Sequence, residues 1–174
     1  MIPVFVTLAI YYGQSIQRGK PLEWQRFAAK AGIRFLAGDL GGARSDAEKA
    51  RDPLEARLRE QPNDFRSLRA LSWVYLALNR KEDAIKIARR TLELLPPEKD
   101  AVLGSGNLAA LAEIQAQTGA TAEAVQNLRK LLSMPAGETI SIARLKVDPV
   151  WDPIRNDPGF QQLLTGKELV GPGE

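Results

Sequence analysis

The chain contains no cysteine and no histidine. Without cysteine there is neither a disulfide framework nor a thiolate metal site, which points to a reducing, cytoplasmic setting. Without histidine the commonest general base and the commonest metal ligand are both missing. Any catalysis would have to run on Asp, Glu, Lys, Ser or Tyr, so the expectation is a protein that is not an enzyme and takes no cofactor or metal. A one-sided charge is also lacking. With 24 basic against 21 acidic residues the net charge is +3, too weak to argue for nucleic acid, which demands a clustered basic face. Nor is there a long hydrophobic run. The apolar start, Met1 to Tyr12, ends near Gly13, short of the roughly 20 residues a membrane span needs. No basic stretch precedes it, as a secretory signal would require. Phe5, Leu8, Ala9, Tyr12 and Ile16 fall at helical spacing, so residues 1–20 are expected to form an apolar helix laid against the first repeat rather than a stable membrane span.

What is present is an internal overlay. Leu68, Leu71, Ser72, Tyr75, Ala84, Ala88 and Pro96 are matched in order by Leu108, Leu111, Ala112, Gln115, Ala124, Leu128 and, one place early, Pro135. The spacing is large-x2-large-small-x2-aromatic, then small-x3-apolar and a late proline. A helix–turn–helix unit of this kind cannot bury its apolar face alone and must stack on neighbours. Ala84 and Ala124 are equivalent, so the local period is 124 − 84 = 40, against about 34 for an unbroken repeat. The surplus is assigned to a loop over Glu98 to Gly106.

In the first clear unit (residues 63–98) Asp64 is a natural N-cap for a helix from Phe65 to Leu78. Asn79 makes the turn because asparagine tolerates a left-handed backbone. A second helix runs from Lys81 to Leu95, and Pro96-Pro97 stops it. The next unit (99–136) has helices over Asn107–Gln117 and Thr121–Ser133, with Gly119 at the turn. Upstream, residues 21–62 read as a degraded unit. Its first helix carries Trp24, Phe27, Ala28, Ala31 and Phe35, Gly38-Asp39 and Gly41-Gly42 break it, and a second helix starts at about Ala43, interrupted at Asp52-Pro53 by a kink, the preferred reading, or by a capped restart. The segment 137–174 holds three Asp-Pro steps, at Asp148, Asp152 and Asp157. Each suits an aspartate cap with proline at the first helical position. Successive single turns and a short helix from Pro158 to Leu164 are expected. Val150, Trp151, Ile154, Phe160, Leu163 and Leu164 would cover the last repeat as a cap, with the glycine-rich end from Thr165 frayed.

At these residues the chain resembles a tetratricopeptide repeat protein. The tail from Leu145 to Phe160 is similar to the closing segment of repeat arrays at the C-termini of bacterial kinases, cyclases and winged-helix regulators. Trp151 stands where that family commonly has phenylalanine, and Gly159 where it has arginine. The resemblance implies an all-α fold, a short right-handed α-solenoid with an N-terminal helix and a C-terminal cap. It implies a scaffold that binds a protein or peptide through the concave face of its first helices. The alternative is the regulatory or dimerising C-terminal part of a larger signalling protein. The abrupt apolar start suits a chain cut within an earlier repeat, and homodimerisation stays open.

Candidate concave-face residues are Arg66, Arg69 and Trp73 in the first clear unit, and Glu113 and Gln117 in the second. Trp and Arg are enriched among binding hot spots, yet Trp73 equally suits packing against a neighbouring helix. Arg57, Arg59, Arg89 and Arg90 lie on second helices, where charge keeps the outer side soluble. Glu82-Asp83 favours the dipole at a helix start. Gly104-Ser105-Gly106 lacks the lysine of a phosphate loop and reads as linker.

Overall fold

The computed structural model describes residues 23–134 and 140–166. The helix expected over residues 1–20, the late Pro135 and the glycine-rich end beyond Gly166 lie outside them. Every regular element among the described residues is helical. In chain order these are α1 (Glu23–Leu36), α2 (Leu40–Glu60), α3 (Phe65–Ala77), α4 (Lys81–Leu94), α5 (Ala101–Thr118), α6 (Thr121–Leu132) and α7 (Ile142–Val147). A 3-10 segment (Pro149–Ile154) and α8 (Pro158–Leu164) complete them. The chain divides into two compact units, Met1–Ile87 and Ala88–Glu174, with the boundary inside α4.

In the first unit α1, α2 and α3 pack against one another. Small side chains make this possible. Ala28, Ala31, Ala43, Ala47 and Ala50 are fully buried, and their size lets helix axes approach closely. Leu54 and Leu68 fill the wider gaps, also without exposure. The expected break at Gly41-Gly42 does not occur. Those glycines form the first turn of α2, whose amides have no intrahelical partner in any case. The Asp39 carboxylate accepts from the Gly42 amide at 2.9 Å and supplies one. At Asp52-Pro53 the helix continues rather than restarting, since Pro53 lies inside the single helix α2.

The turns within the helix pairs repeat one device. Gly38, Asn79 and Gly119 hold φ of 81°, 60° and 91°, the left-handed region. At each, the amide of the next residue bonds back across the last turn of the helix. Asp39 N–H donates to Arg34 O (2.9 Å), Arg80 N–H to Tyr75 O (2.8 Å) and Ala120 N–H to Gln115 O (3.0 Å). This is the Schellman closure, which satisfies orphan carbonyls and reverses the chain. The spacings are 79 − 38 = 41 and 119 − 79 = 40. Residues matched by the sequence overlay are matched in burial too. Leu68, Leu71, Ser72, Tyr75, Ala84 and Ala88 are buried, and so are Leu108, Leu111, Ala112, Gln115, Ala124 and Leu128.

In the second unit the expected loop from Glu98 to Gly106 is mostly helix. Asp100 caps α5, accepting from the amides of Val102 (3.0 Å) and Leu103 (2.7 Å). Gly104-Ser105-Gly106 is therefore helical and buried rather than a linker. The glycine at 104 answers a steric demand. A Cβ there would lie 2.3 Å from the Pro96 carbonyl carbon and 2.4 Å from the Pro97 nitrogen. Two prolines cannot donate to the last carbonyls of α4. Asn107 does so instead, its side-chain amide reaching Leu95 O at 3.0 Å and Thr91 O at 3.5 Å. Gly104 lets α5 come close enough for that bond. Gly104→Ala should therefore lower the unfolding free energy by about 1–3 kcal/mol in chemical denaturation, the usual cost of overpacking. A neutral result would mean that this approach is not a constraint.

Candidate functional site

On α3 the candidate residues separate by exposure. Trp73 is buried, at 8 % of its surface, and acts as core. Arg66 is exposed and Arg69 half-buried. They are three residues apart and so share a helix face. The Arg66 guanidinium lies 5.6 Å from the centre of the Phe65 ring. Asp64 anchors the start of this helix. One carboxylate oxygen accepts from the amides of Arg66 (3.2 Å) and Ser67 (3.4 Å). The other accepts from Arg57 Nε and the Ser67 hydroxyl, both at 2.8 Å. Burial alone would raise the Asp64 carboxyl, but the bonds from Ser67 and Arg57 outweigh it and hold it below the usual range. At the other end of α3, Tyr75 donates its hydroxyl to Glu55 at 3.0 Å. Arg80 stacks on the Tyr75 ring at 4.1 Å and pairs with Asp83 at 2.8 Å. Burial first, and then the Glu55 bond, push the Tyr75 phenol up. Both ends of α3 are thus tied down within the first unit, and between them the helix is buried apart from Arg66 and the half-buried Arg69.

In the second unit Glu113 and Gln117 do not face outward. Both are engaged by the chain's own C-terminal segment. Glu113 pairs with Arg144 of α7 at 2.9 Å, and Arg144 pairs with Asp148 at 3.1 Å. Gln117 donates its side-chain amide to Val150 O at 2.5 Å. Around these contacts Leu145, Val150, Trp151, Ile154 and Phe160 are buried almost completely. The 3-10 segment rests on α5 and α8 rests on α6. The cap anticipated from Trp151 and Phe160 is present, and it consumes the polar groups that were candidates for an external partner.

Two of the three Asp-Pro steps behave as caps. Asp148 accepts from Val150 N–H (3.1 Å) and Asp157 from Phe160 N–H (3.0 Å). Asp152 instead pairs with Arg155 at 2.6 Å, and Pro153 falls inside the 3-10 segment. Arg155 has a larger task that was not anticipated. Its guanidinium donates to the carbonyls of Leu145 (3.2 Å), Lys146 (2.9 Å) and Asp148 (3.0 Å), closing the end of α7. Arg144 was missed as well. The only local signal was its place four residues before Asp148, a spacing that brings side chains together on a helix.

Among the described residues no group of three or more acidic side chains could hold a metal ion, and no helix is long and apolar enough to cross a membrane. Comparison with known proteins finds no matching family model, no matching curated protein and no matching solved structure.

Glu113, Arg144 and Asp148 carry buried charge, so removing one partner is costlier than losing a surface pair. Arg144→Met should cost about 3 kcal/mol of unfolding free energy. Arg51→Met, which breaks the exposed pair with Asp52, should cost under about 1 kcal/mol. Equal losses in a denaturant titration would contradict the buried-lock description.

Proposed function

We propose that this chain is a non-catalytic, tetratricopeptide-like scaffold, a short right-handed α-solenoid that binds a protein or peptide segment along its first helices. The observation that carries the proposal is the recurrence of one helix-turn geometry at Gly38, Asn79 and Gly119, spaced by 41 and 40 residues. The matched burial of Ala84 and Ala124, neither with any exposure, supports it. A repeated helical hairpin with small residues at the crossing stacks naturally into an array. The absence of cysteine and histidine fits a cytoplasmic scaffold better than an enzyme.

Within that scaffold the docking surface includes the first turn of α3, where Arg66 is exposed and Arg69 half-buried. Glu113 and Gln117 are excluded from it because the C-terminal segment occupies them in cis. Trp73 supports the helix from inside the core. Arginine suits this role because its planar fork reads carbonyl and carboxylate groups directionally.

The proposal is tested by selecting peptides from a display library on the immobilised full chain. A photo-crosslinking residue is then placed at 66, at 69 or, as a control, at 89 on α4. Selected peptides should crosslink from 66 and 69 and not from 89. Crosslinking from 89 alone, or a selection that yields no binder, would overturn the assignment.

A further inference from the structure

The C-terminal segment is fastened to α5 by polar groups at a position where the matching helix uses an apolar one. Forty residues before Glu113, at the equivalent place on α3, stands the buried Trp73. On α5 that place carries a carboxylate, buried and paired with Arg144 at 2.9 Å. Arg144 is shared with the buried Asp148 at 3.1 Å. A buried ion pair adds little net stability over apolar side chains of the same size, and its best-attested uses are to fix a register or to switch. One turn further along α5, Gln117 donates to Val150 O at 2.5 Å, a main-chain group that any peptide can present.

The segment also keeps a cost inside the contact. Trp151 is fully buried, yet its indole N–H finds no acceptor among the described residues, and an unpaired buried donor opposes docking. The helix α7, the 3-10 segment and α8 have only 6, 6 and 7 residues. Helices shorter than roughly 12 residues are marginal in isolation. These three therefore hold their shape through α5 and α6, and they leave together. Residues 133–141 join α6 to α7, and so short a tether holds the segment at an effective concentration of about a millimolar. The contact is kept closed by the tether as much as by its own strength.

We propose that this segment is a strap, a ligand in cis that keeps a peptide site on α5 closed and yields it to a competing segment of the same chemistry. The competitor is a basic–aromatic peptide. It brings an Arg or Lys to Glu113, a main-chain carbonyl to Gln117 and an aromatic ring to the place of Trp151, seven residues after the cation as 151 − 144 gives. The site goes beyond the α3 surface and does not draw on it.

Two measurements on the full chain test it. In hydrogen exchange of the native protein, the amides of residues 142–164 should exchange as one group, at least tenfold faster than those of α5. Equal rates would mean that the segment leaves only when the whole chain unfolds, and would overturn the strap. The second measurement uses a fluorescent peptide with the sequence of residues 141–164 and the same peptide carrying Arg144→Glu. Chains carrying Arg144→Glu or Glu113→Arg repel their own segment. The native peptide should bind the Arg144→Glu chain at least tenfold more tightly than it binds the native chain. The Arg144→Glu peptide should prefer the Glu113→Arg chain over the Arg144→Glu chain by the same factor. Peptides that bind without regard to matched charge would overturn the proposal. So would matched pairs that fail to bind while circular dichroism shows the variant chains folded. Should a variant unfold, the exchange rates of the native chain decide. Crosslinking at position 66 reports the α3 surface alone, so the two readings fail separately.

Discussion

Each helix pair in this protein depends on one residue that enters the left-handed region and sends the chain back along itself. Gly38, Asn79 and Gly119 do this, and at each the amide of the following residue bonds a carbonyl in the last turn of the helix. The backbone cost of that conformation is about 1–2 kcal/mol for a residue with a Cβ, and least for glycine and asparagine. Everything downstream follows from the reversal. Once the second helix starts at a fixed place, its small residues meet the first helix at a fixed depth. Ala43 and Ala47 in α2, Ala84 in α4 and Ala124 in α6 all lie within the first two turns after the reversal and are buried.

Close approach then creates its own polar obligations. Where Pro96-Pro97 end α4 without amide protons, Asn107 reaches over from α5, and Gly104 opens the space for it. At the C-terminal end the face of α5 is covered by α7 and the 3-10 segment. There the buried Glu113, Arg144 and Asp148 satisfy one another, and Arg155 closes the carbonyls of α7. Buried charge adds little net stability, but a mispaired arrangement is expensive, so such a cluster selects one register. Within the first unit α3 is buried along most of its length and exposes Arg66 at its first turn. It is fixed at both ends, by Asp64 at its start and by Tyr75 and Arg80 at its close.

How much of this could be read in the sequence depended on the range of the interaction. Asp64 as a cap, Asn79 as a left-handed turn and the helix from Pro158 to Leu164 rest on contacts within a few residues, and the local pattern was enough. Gly104 misled for the opposite reason. A glycine-serine-glycine run reads as a linker by composition, whereas here the missing Cβ serves an approach to Pro96, eight residues away in sequence and adjacent in space. Gly41 and Gly42 were misread likewise, because the Asp39 cap outweighs their low helix propensity. The candidate site divided along the same line. Arg66 could be placed on an exposed face from helical periodicity alone. Glu113 and Gln117 could not be excluded from it, because their partners, Arg144 and Val150, lie 31 and 33 residues away. No local spacing announces such contacts.

The left-handed reversal is tested most directly by denaturant unfolding of three single variants, Asn79→Gly, Asn79→Ala and Gly119→Ala. Asn79→Gly should leave the unfolding free energy within a few tenths of a kcal/mol, since glycine adopts this backbone freely. The two alanine variants should each lose about 1 kcal/mol, because a Cβ without a local hydrogen bond opposes the left-handed form. Alanine tolerated at both positions would contradict the account, for the helix pairs would then be held by something other than these turns.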